Sequence, residues 1–305
     1  MPLNIHKKVW GVFIVVFLLA GCSVDKNPTI SKTPAPEVTK EVVGNYAPPL
    51  TTATLKISAN SLTSYEELHQ TQPTTNSSLA GSQDVADEVY RFENGFHIWE
   101  GNITFPEMED IWEMSYIRKI QFRDQPGGVV LVASDNANFM YSFTNIKGKY
   151  GFGRSAPESG VIFDHSLEGE WTGMLNGTPT LRGTGEYARI WKGYYNQELT
   201  EIETRVDFQI QDLQFTRDAE HGYLLTGTIV ASLPPFSFQV NFDGTPTAKI
   251  SIYQFGLKVG EVEVEIPNLY GWDIKNGLIN PNAAEFFETV LDPLNLLAGM
   301  EPLAN

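Results

Sequence analysis

The chain has 305 residues, with 37 acidic and 21 basic side chains and a formal net charge of −16. This acidity argues against binding to nucleic acid or to anionic lipid headgroups, because phosphate contacts require clustered basic side chains. The length allows a large core in one or two domains, and the single cysteine excludes an internal disulfide.

The N-terminal segment has the pattern of an export signal. Basic residues open the chain, an apolar stretch spans residues 9–20, and the small residue Gly21 precedes Cys22. The stretch is shorter than the about 20 apolar residues of a membrane-spanning helix. We therefore predict a signal peptide over residues 1–21, with an ordinary anchor helix that happens to contain a cysteine as the alternative.

The sequence Leu19-Ala20-Gly21-Cys22 resembles the lipobox of bacterial lipoproteins. The resemblance implies cleavage between Gly21 and Cys22 and acylation of the Cys22 thiol by chains such as palmitate, so that membrane lipid is a partner. It also implies export and lipid anchoring in the bacterial cell envelope. Ser23 after the cysteine resembles lipoproteins sorted to the outer membrane of cells with two membranes.

The next two segments have weak patterns. Residues 22–50 are rich in Pro, Thr, Ser and Lys without periodicity, which predicts a flexible tether behind the lipid anchor. Residues 51–87 are predicted to be a partly ordered linker, with a short strand in "ATLKIS" and a short helix in "SYEELHQ".

An antiparallel β domain is predicted over residues 88–267. Asn94-Gly95 is typical of a type I′ hairpin turn, and a change of phase near Gln211-Asp212 indicates a β-bulge. Two segments alternate cleanly between apolar and polar residues, "FSFQVNF" from Phe236 and "EVEVEI" from Glu261. One dry and one wet face are typical of an antiparallel sheet.

The fold class predicted is all-β: an antiparallel sandwich or a meandering barrel or half-barrel, with a C-terminal amphipathic helix. The C-terminal segment is 268–305, and its helix is expected at about 281–292, where Pro281 suits the first turn. Apolar residues recur there at helical spacing, at Phe287, Val290, Leu291 and Leu294.

Patterns for catalysis are scarce. The histidines after the signal are scattered, without metal-ligand spacing, and the chain has no nucleophile elbow, no phosphate-binding glycine loop and no cysteine beyond Cys22. We therefore predict no cofactor, no metal site and no catalytic residue from these motifs.

One carboxylate pair permits an enzymatic alternative. Glu168 and Glu170 are two residues apart, which on a strand places their Cα atoms about 6.6 Å apart, and Trp171 follows them. Glycoside hydrolases use two carboxylates at about this separation, with aromatic residues to stack the sugar. The alternative is an exposed strand face whose Trp171 packs inward, and we favour it.

Aromatic residues in predicted loops are the candidate ligand-binding residues. Tyr150 and Phe152 fall in a glycine-bearing loop over 147–160, and a predicted turn carries Trp191, Tyr194 and Tyr195. Aromatic side chains give large contact area at low entropy cost, as in glycan-binding and protein-binding surfaces. Closure of the end of the core by Trp191 and one tyrosine is an equal alternative.

These observations favour a lipid-anchored binding or scaffold protein without catalytic activity, whose partner is a glycan or an envelope protein. The first alternative is a carrier of an apolar ligand in a β half-barrel, and the second is a carbohydrate-active hydrolase. A continuous empty apolar cavity would favour the carrier, and a filled core would count against it.

Overall fold

The computed structural model describes residues 40–70, 86–104, 110–124, 127–131, 133, 137–153, 158–195 and 198–271. Cys22, Gly21 and the predicted helix at 281–292 lie outside these residues. The elements are α1 (Lys40–Gln70), β1 (Ala86–Glu93), β2 (Phe96–Thr104), β3 (Asp110–Arg123), β4 (Val129–Val130), β5 (Phe139–Gly153), β6 (Gly160–Thr172), the 3₁₀ turn η1 (Met174–Asn176), β7 (Thr180–Tyr195), β8 (Glu198–Asp218), β9 (Gly222–Leu233), β10 (Phe236–Asp243), β11 (Thr247–Gln254) and β12 (Leu257–Glu265).

The twelve strands described form one open antiparallel sheet. Each strand pairs with its neighbours in sequence, except that the short β4 pairs with β3 beside the main path. The prediction of an antiparallel all-β body is therefore confirmed. A sandwich requires two stacked sheets, whereas these strands belong to one.

Two local predictions in the sheet are also confirmed. Asn94 and Gly95 both have positive φ angles, 53° and 82°, and join β1 to β2 with Glu93 opposite Phe96. The β8–β9 ladder shifts register between Gln211 and Gln214, and Asp212 takes a φ of 50°. This is the bulge that the change of phase indicates.

The sheet has one buried and one exposed face, which we call the inner and the outer face. In β6 the inner positions run from Val161 to Trp171 and are buried, while Glu168 and Glu170 on the outer face are exposed. The apolar positions of β10 are buried in the same way. The glutamates of "EVEVEI" are exposed along β12, which ends the strand order, and charges there protect an edge from pairing.

Helix α1 packs on the inner face and corrects the prediction for residues 40–63. The sequence predicts a tether up to residue 50, then a short strand in "ATLKIS" and a short helix in "SYEELHQ", but one 31-residue helix spans the whole stretch and includes Pro48 and Pro49. The short helix predicted at residues 64–70 is confirmed as its last part. Nearly every position from Leu50 to Leu62 is buried or half-buried, so the helix is covered all round rather than on one stripe.

The polar composition of α1 hides its burial. Buried Ser and Thr hydroxyls donate to carbonyl oxygens one turn earlier: Thr51 to Ala47 at 2.7 Å, Thr54 to Leu50 at 2.9 Å, Ser58 to Thr54 at 2.8 Å and Ser64 to Asn60 at 2.8 Å. These bonds satisfy the hydroxyls within the helix, which allows them to enter a core without partners from the sheet.

The sheet curves around α1. Tyr65 packs on Phe122 of β3, with 5.9 Å between ring centroids, while its neighbour Glu66 binds Arg217 of β8. Strands β3 and β8 are four strand spacings apart in the sheet. In a flat sheet this separation would be about 19 Å. Adjacent residues of one helix reach both strands only if the sheet bends toward the helix.

No helix within the described residues is long and apolar enough to cross a membrane.

Candidate functional site

Two adjoining clefts lie on the outer face. The first, which we call the carboxylate cleft, has a volume of about 520 Å³ and is lined in part by Tyr141, Glu168, Glu170, Arg182 and Asp212. The second, the aromatic cleft, has a volume of about 570 Å³ and is lined in part by Phe96, Lys119, Tyr141, Phe143 and Glu168. Tyr141 and Glu168 belong to both, so the clefts form one continuous surface from β1 to β8.

Strand alternation places the aromatic rings of this surface. Tyr141 and Phe143 occupy the outer phase of β5, and Phe96 begins β2 on the same face. Phe96 and Tyr141 meet edge to face, with ring centroids 5.9 Å apart, and the Lys119 ammonium lies 5.8 Å from the Phe143 centroid. All three rings are half-buried, so each keeps an exposed surface for a ligand.

Charged side chains surround the rings. Burial and the nearby Glu168 carboxylate raise the pKa of Tyr141, so its hydroxyl stays a neutral donor. Arg91 forms two hydrogen bonds to Glu100, at 2.6 and 2.7 Å, which hold the pKa of Glu100 below its usual value. The surface therefore offers hydrogen-bonding groups of both charges next to exposed rings.

The β-bulge contributes to the carboxylate cleft. Asp212, the bulge residue with positive φ, accepts a hydrogen bond from Arg182 of β7. A bulge bends its strand and redirects one side chain, and here it places a carboxylate across from Glu168 and Glu170 in the same cleft.

The structure keeps the predicted carboxylate pair together but separates it from its tryptophan. Glu168 and Glu170 share the outer face, whereas Trp171 points inward, is fully buried and donates from Nε1 to Ser142 Oγ at 2.9 Å. Consecutive strand residues face opposite sides. Trp171 is therefore unable to stack a sugar beside the two carboxylates, as the hydrolase alternative requires.

The candidate loop aromatics lie in strands. Strand β5 runs on to Gly153, so Tyr150 and Phe152 belong to it, and β7 contains Trp191 and Tyr194 and ends at Tyr195. The predicted loop over 147–160 is wrong for residues 147–153, and the predicted turn at Trp191 is wrong as well. Both strands continue through the glycines that suggested an interruption.

Register divides these aromatics between the faces. Tyr150, Val161 and Trp191 are cross-strand neighbours in one row on the inner face, and Tyr150 packs on the core. Tyr194 faces outward, is exposed, and donates a hydrogen bond to Glu158. The set thus provides one row at an end of the inner face and one outward tyrosine, and not a single binding surface.

Sequence reasoning missed Tyr141, Phe143 and Phe96. The signal was present in "FMYSF", where aromatic residues occupy one phase of a strand and Met140 and Ser142 the other. Aromatic side chains in the exposed phase of a sheet are unusual enough to mark a surface, but the phase itself is known only once the inner face is known.

No family model, curated protein or solved structure matches the chain. Within the described ranges, no group of three His, Cys, Asp or Glu side chains is arranged to hold a metal ion.

Proposed function

We propose that the chain is a lipid-anchored binding protein of the bacterial cell envelope, which binds a glycan on the outer face of its sheet. The observation that carries this proposal is the continuous surface formed by the two clefts, with Tyr141 and Glu168 at its centre. It is a binding function without a chemical step.

The chemistry of the surface fits a sugar. The apolar side of a pyranose ring stacks on exposed aromatic faces such as Tyr141 and Phe143, and its hydroxyls bond to carboxylates and guanidinium groups. Glu168, Glu170 and Arg182 provide both acceptors and donors in the carboxylate cleft. An open cleft also suits a polymer that passes across the sheet.

The anchor is proposed from Leu19-Ala20-Gly21-Cys22. Acyl chains on Cys22 would hold the protein at a membrane, because each buried CH₂ contributes about 0.8 kcal/mol. The outer face of the sheet would then be available to bind a glycan of the envelope. Location in the outer membrane, where the cell has two, is part of the proposal.

A direct test of the anchor is metabolic labelling of the full chain with an alkyne analogue of palmitate. We expect the wild-type chain to take up the label and Cys22→Ser to lose it. Label that persists in Cys22→Ser would contradict acylation at this residue.

Glycan binding is tested with the full chain and purified peptidoglycan sacculi or lipopolysaccharide in a sedimentation assay. We expect the wild-type chain to bind one of them, and Tyr141→Ala to weaken that binding by about two- to tenfold, because loss of one stacking ring removes about 0.5–1.5 kcal/mol. Tyr194→Ala is the matched control, since Tyr194 is an outward tyrosine away from both clefts. Binding that is absent, or equal in wild type and Tyr141→Ala, would refute the proposal.

The hydrolase alternative is less well supported. Glu168 and Glu170 are exposed on an open surface, whereas the acid of a glycosidase is held in a pocket that raises its pKa. Release of reducing ends from the bound glycan by wild type, abolished in Glu168→Gln/Glu170→Gln, would revive it.

The half-barrel carrier is also less well supported. The curved sheet has the shape that a half-barrel needs, but α1 packs along the inner face where an apolar ligand would lie. A long apolar ligand would have to displace this helix, so the filled core counts against the carrier.

A further inference from the structure

The inner face contains a guanidinium group in an unusual environment. Arg189 of β7 is 3% exposed, and its Nε and Nη2 atoms have no hydrogen-bond partner. Its neighbours on the same face are Tyr187 and Trp191 along the strand and Phe163 across it in β6. An arginine is always protonated, so a full positive charge lies among aromatic rings.

The groups around Arg189 do not neutralise this charge. Tyr46 of α1 and Tyr187 are in electrostatic contact with it, and burial raises the pKa of Tyr46 and raises that of Tyr187 to about 12, so both are neutral. His165, which packs on Tyr187 at 5.5 Å, is neutral as well, since burial lowers its pKa to about 4. No ion pair joins Arg189 to a carboxylate of the described residues.

The nearest acidic side chain along β6 points the other way. Asp164 lies on the outer face, where its carboxylate binds Lys147 at 3.0 Å and Asn145. The cluster of Tyr46, His165, Tyr187 and Arg189 therefore carries a net charge of about +1 at neutral pH.

Several donors of the cluster are unused. No hydrogen bond of normal geometry satisfies the hydroxyls of Tyr46 and Tyr187, although the two interact with each other and Tyr187 with Arg189; the two rings are 6.0 Å apart across the contact between helix and sheet. A buried charge without a partner costs several kcal/mol, and buried polar groups in native proteins are nearly always bonded. The Nε–H group and the two Nη2–H groups of this guanidinium, with the two phenol hydroxyls beside them, match the acceptors of an oxyanion.

We propose that Arg189, with Tyr46 and Tyr187, binds the oxyanion group of a ligand, of which a carboxylate is the simplest form. The site is on the opposite side of the sheet from the glycan surface and does not depend on it.

The rim of the inner face suggests how such a ligand is held. Tyr150, Val161 and Trp191 form the next inner-face row after Arg189. Trp191 is two residues further along β7, Val161 pairs with it in β6, and Tyr150 pairs with Val161 in β5. An acid that enters from this end would place its charge at Arg189 and its apolar part on these side chains. In this proposal Tyr150 and Trp191, which are half-buried, would contact the apolar part of the ligand.

The test uses the full chain in one non-ionic detergent, with calorimetric titration of three probes: acetate, octanoate and uncharged octanol. We expect octanoate or acetate to bind, Arg189→Gln to weaken that binding by tenfold or more, and octanol to bind no more tightly to wild type than to Arg189→Gln. Arg205→Gln is the matched control, because Arg205 lies on the outer face of the neighbouring strand β8, outside both clefts, where it binds Glu186. It should bind the anion as wild type does.

The two anionic probes distinguish the source of the oxyanion. Octanoate that binds at least tenfold more tightly than acetate identifies an amphiphilic acid, and equal affinities identify a small free anion. Tyr187→Phe provides a second variant should Arg189→Gln fail to fold, and we expect it to weaken binding by about fivefold.

Three results would overturn the proposal: no anionic probe binds to wild type, octanol binds as tightly as octanoate, or the substitutions at Arg189 and Tyr187 leave the affinity unchanged. Tyr141→Ala should not alter anion binding, so failure of the glycan surface and failure of this site are distinguishable.

Discussion

His165 gives the protein a pH-dependent stability. Its ring is 4% exposed and lies between Tyr187 and Phe208, at 5.5 and 5.7 Å between ring centroids. Burial lowers its pKa from 6.5 to about 4 in the folded state. The unfolded chain therefore takes up a proton at a higher pH than the folded chain does.

The buried His165 makes the free energy of unfolding fall at acidic pH. Between pH 6.5 and about 4 the unfolded state binds more protons, so the free energy of unfolding falls as the pH falls through this window. At about 1.4 kcal/mol per pKa unit the whole loss is about 3 kcal/mol, and it is complete below pH 4. His97 acts in the same direction, because burial lowers its pKa too.

The assay is urea unfolding of the full chain at intervals from pH 7.5 to 4, for wild type and His165→Gln. We expect the two stability curves to converge as the pH falls, since only wild type loses the contribution of His165. His221→Gln is the control, because this side chain is partly exposed at the surface beside Asp218. Parallel curves for wild type and His165→Gln would show that burial of His165 does not cause the loss of stability at low pH.

Three further predictions concern packing and aggregation. Thermal or urea unfolding tests the variants in the core and at glycines, and light scattering tests the variant in β12. Ile57→Ala should lower the free energy of unfolding by about 2–5 kcal/mol, because Ile57 of α1 is 0% exposed. Gly185→Ala should lower the free energy of unfolding by about 1–3 kcal/mol, since its Cβ would overlap the Ser166 carbonyl oxygen. Gly44→Ala should raise it by about 0.5–1 kcal/mol, because alanine is favoured over glycine within a helix and its Cβ would make only ordinary contacts at 3.8 Å. Glu263→Val should increase concentration-dependent aggregation, because it removes a charge from the terminal strand β12.

Controls for these variants lie in the same elements or on the same face. Glu67→Ala, at an exposed position of α1, should cost less than about 1 kcal/mol. Glu170→Val adds an equal apolar group in an interior strand of the sheet and should aggregate less than Glu263→Val. An Ile57→Ala variant as stable as Glu67→Ala would contradict the packing of α1 in the core.

Much of the sheet is readable from the sequence because its signals are local. A strand has a period of two residues, so "FSFQVNF" identifies its buried phase without reference to any neighbour. Asn94-Gly95 specifies its turn through the positive φ angles that these two residues tolerate. The bulge at Asp212 is visible as a change of phase for the same reason.

Only the last part of helix α1, in "SYEELHQ", is predicted from the sequence, because the rest of the helix is stabilised by contacts with the sheet. Its Ser and Thr residues have low helix propensity and Pro48 and Pro49 interrupt it, so the isolated segment resembles a linker. Burial by a sheet that curves around it supplies the stabilisation, and that sheet includes strands as far along the chain as β12.

The candidate sites divide in the same way. That Glu168 and Glu170 share a face and Trp171 takes the other follows from the sequence, since alternation along one strand is a local property. The folded core is needed to bring Tyr141 next to these carboxylates across the sheet and Tyr46 of the helix next to Arg189 of β7. These contacts depend on strand register and on the path of the helix. Both are set by the packing of the whole core, and no single segment of the sequence specifies them.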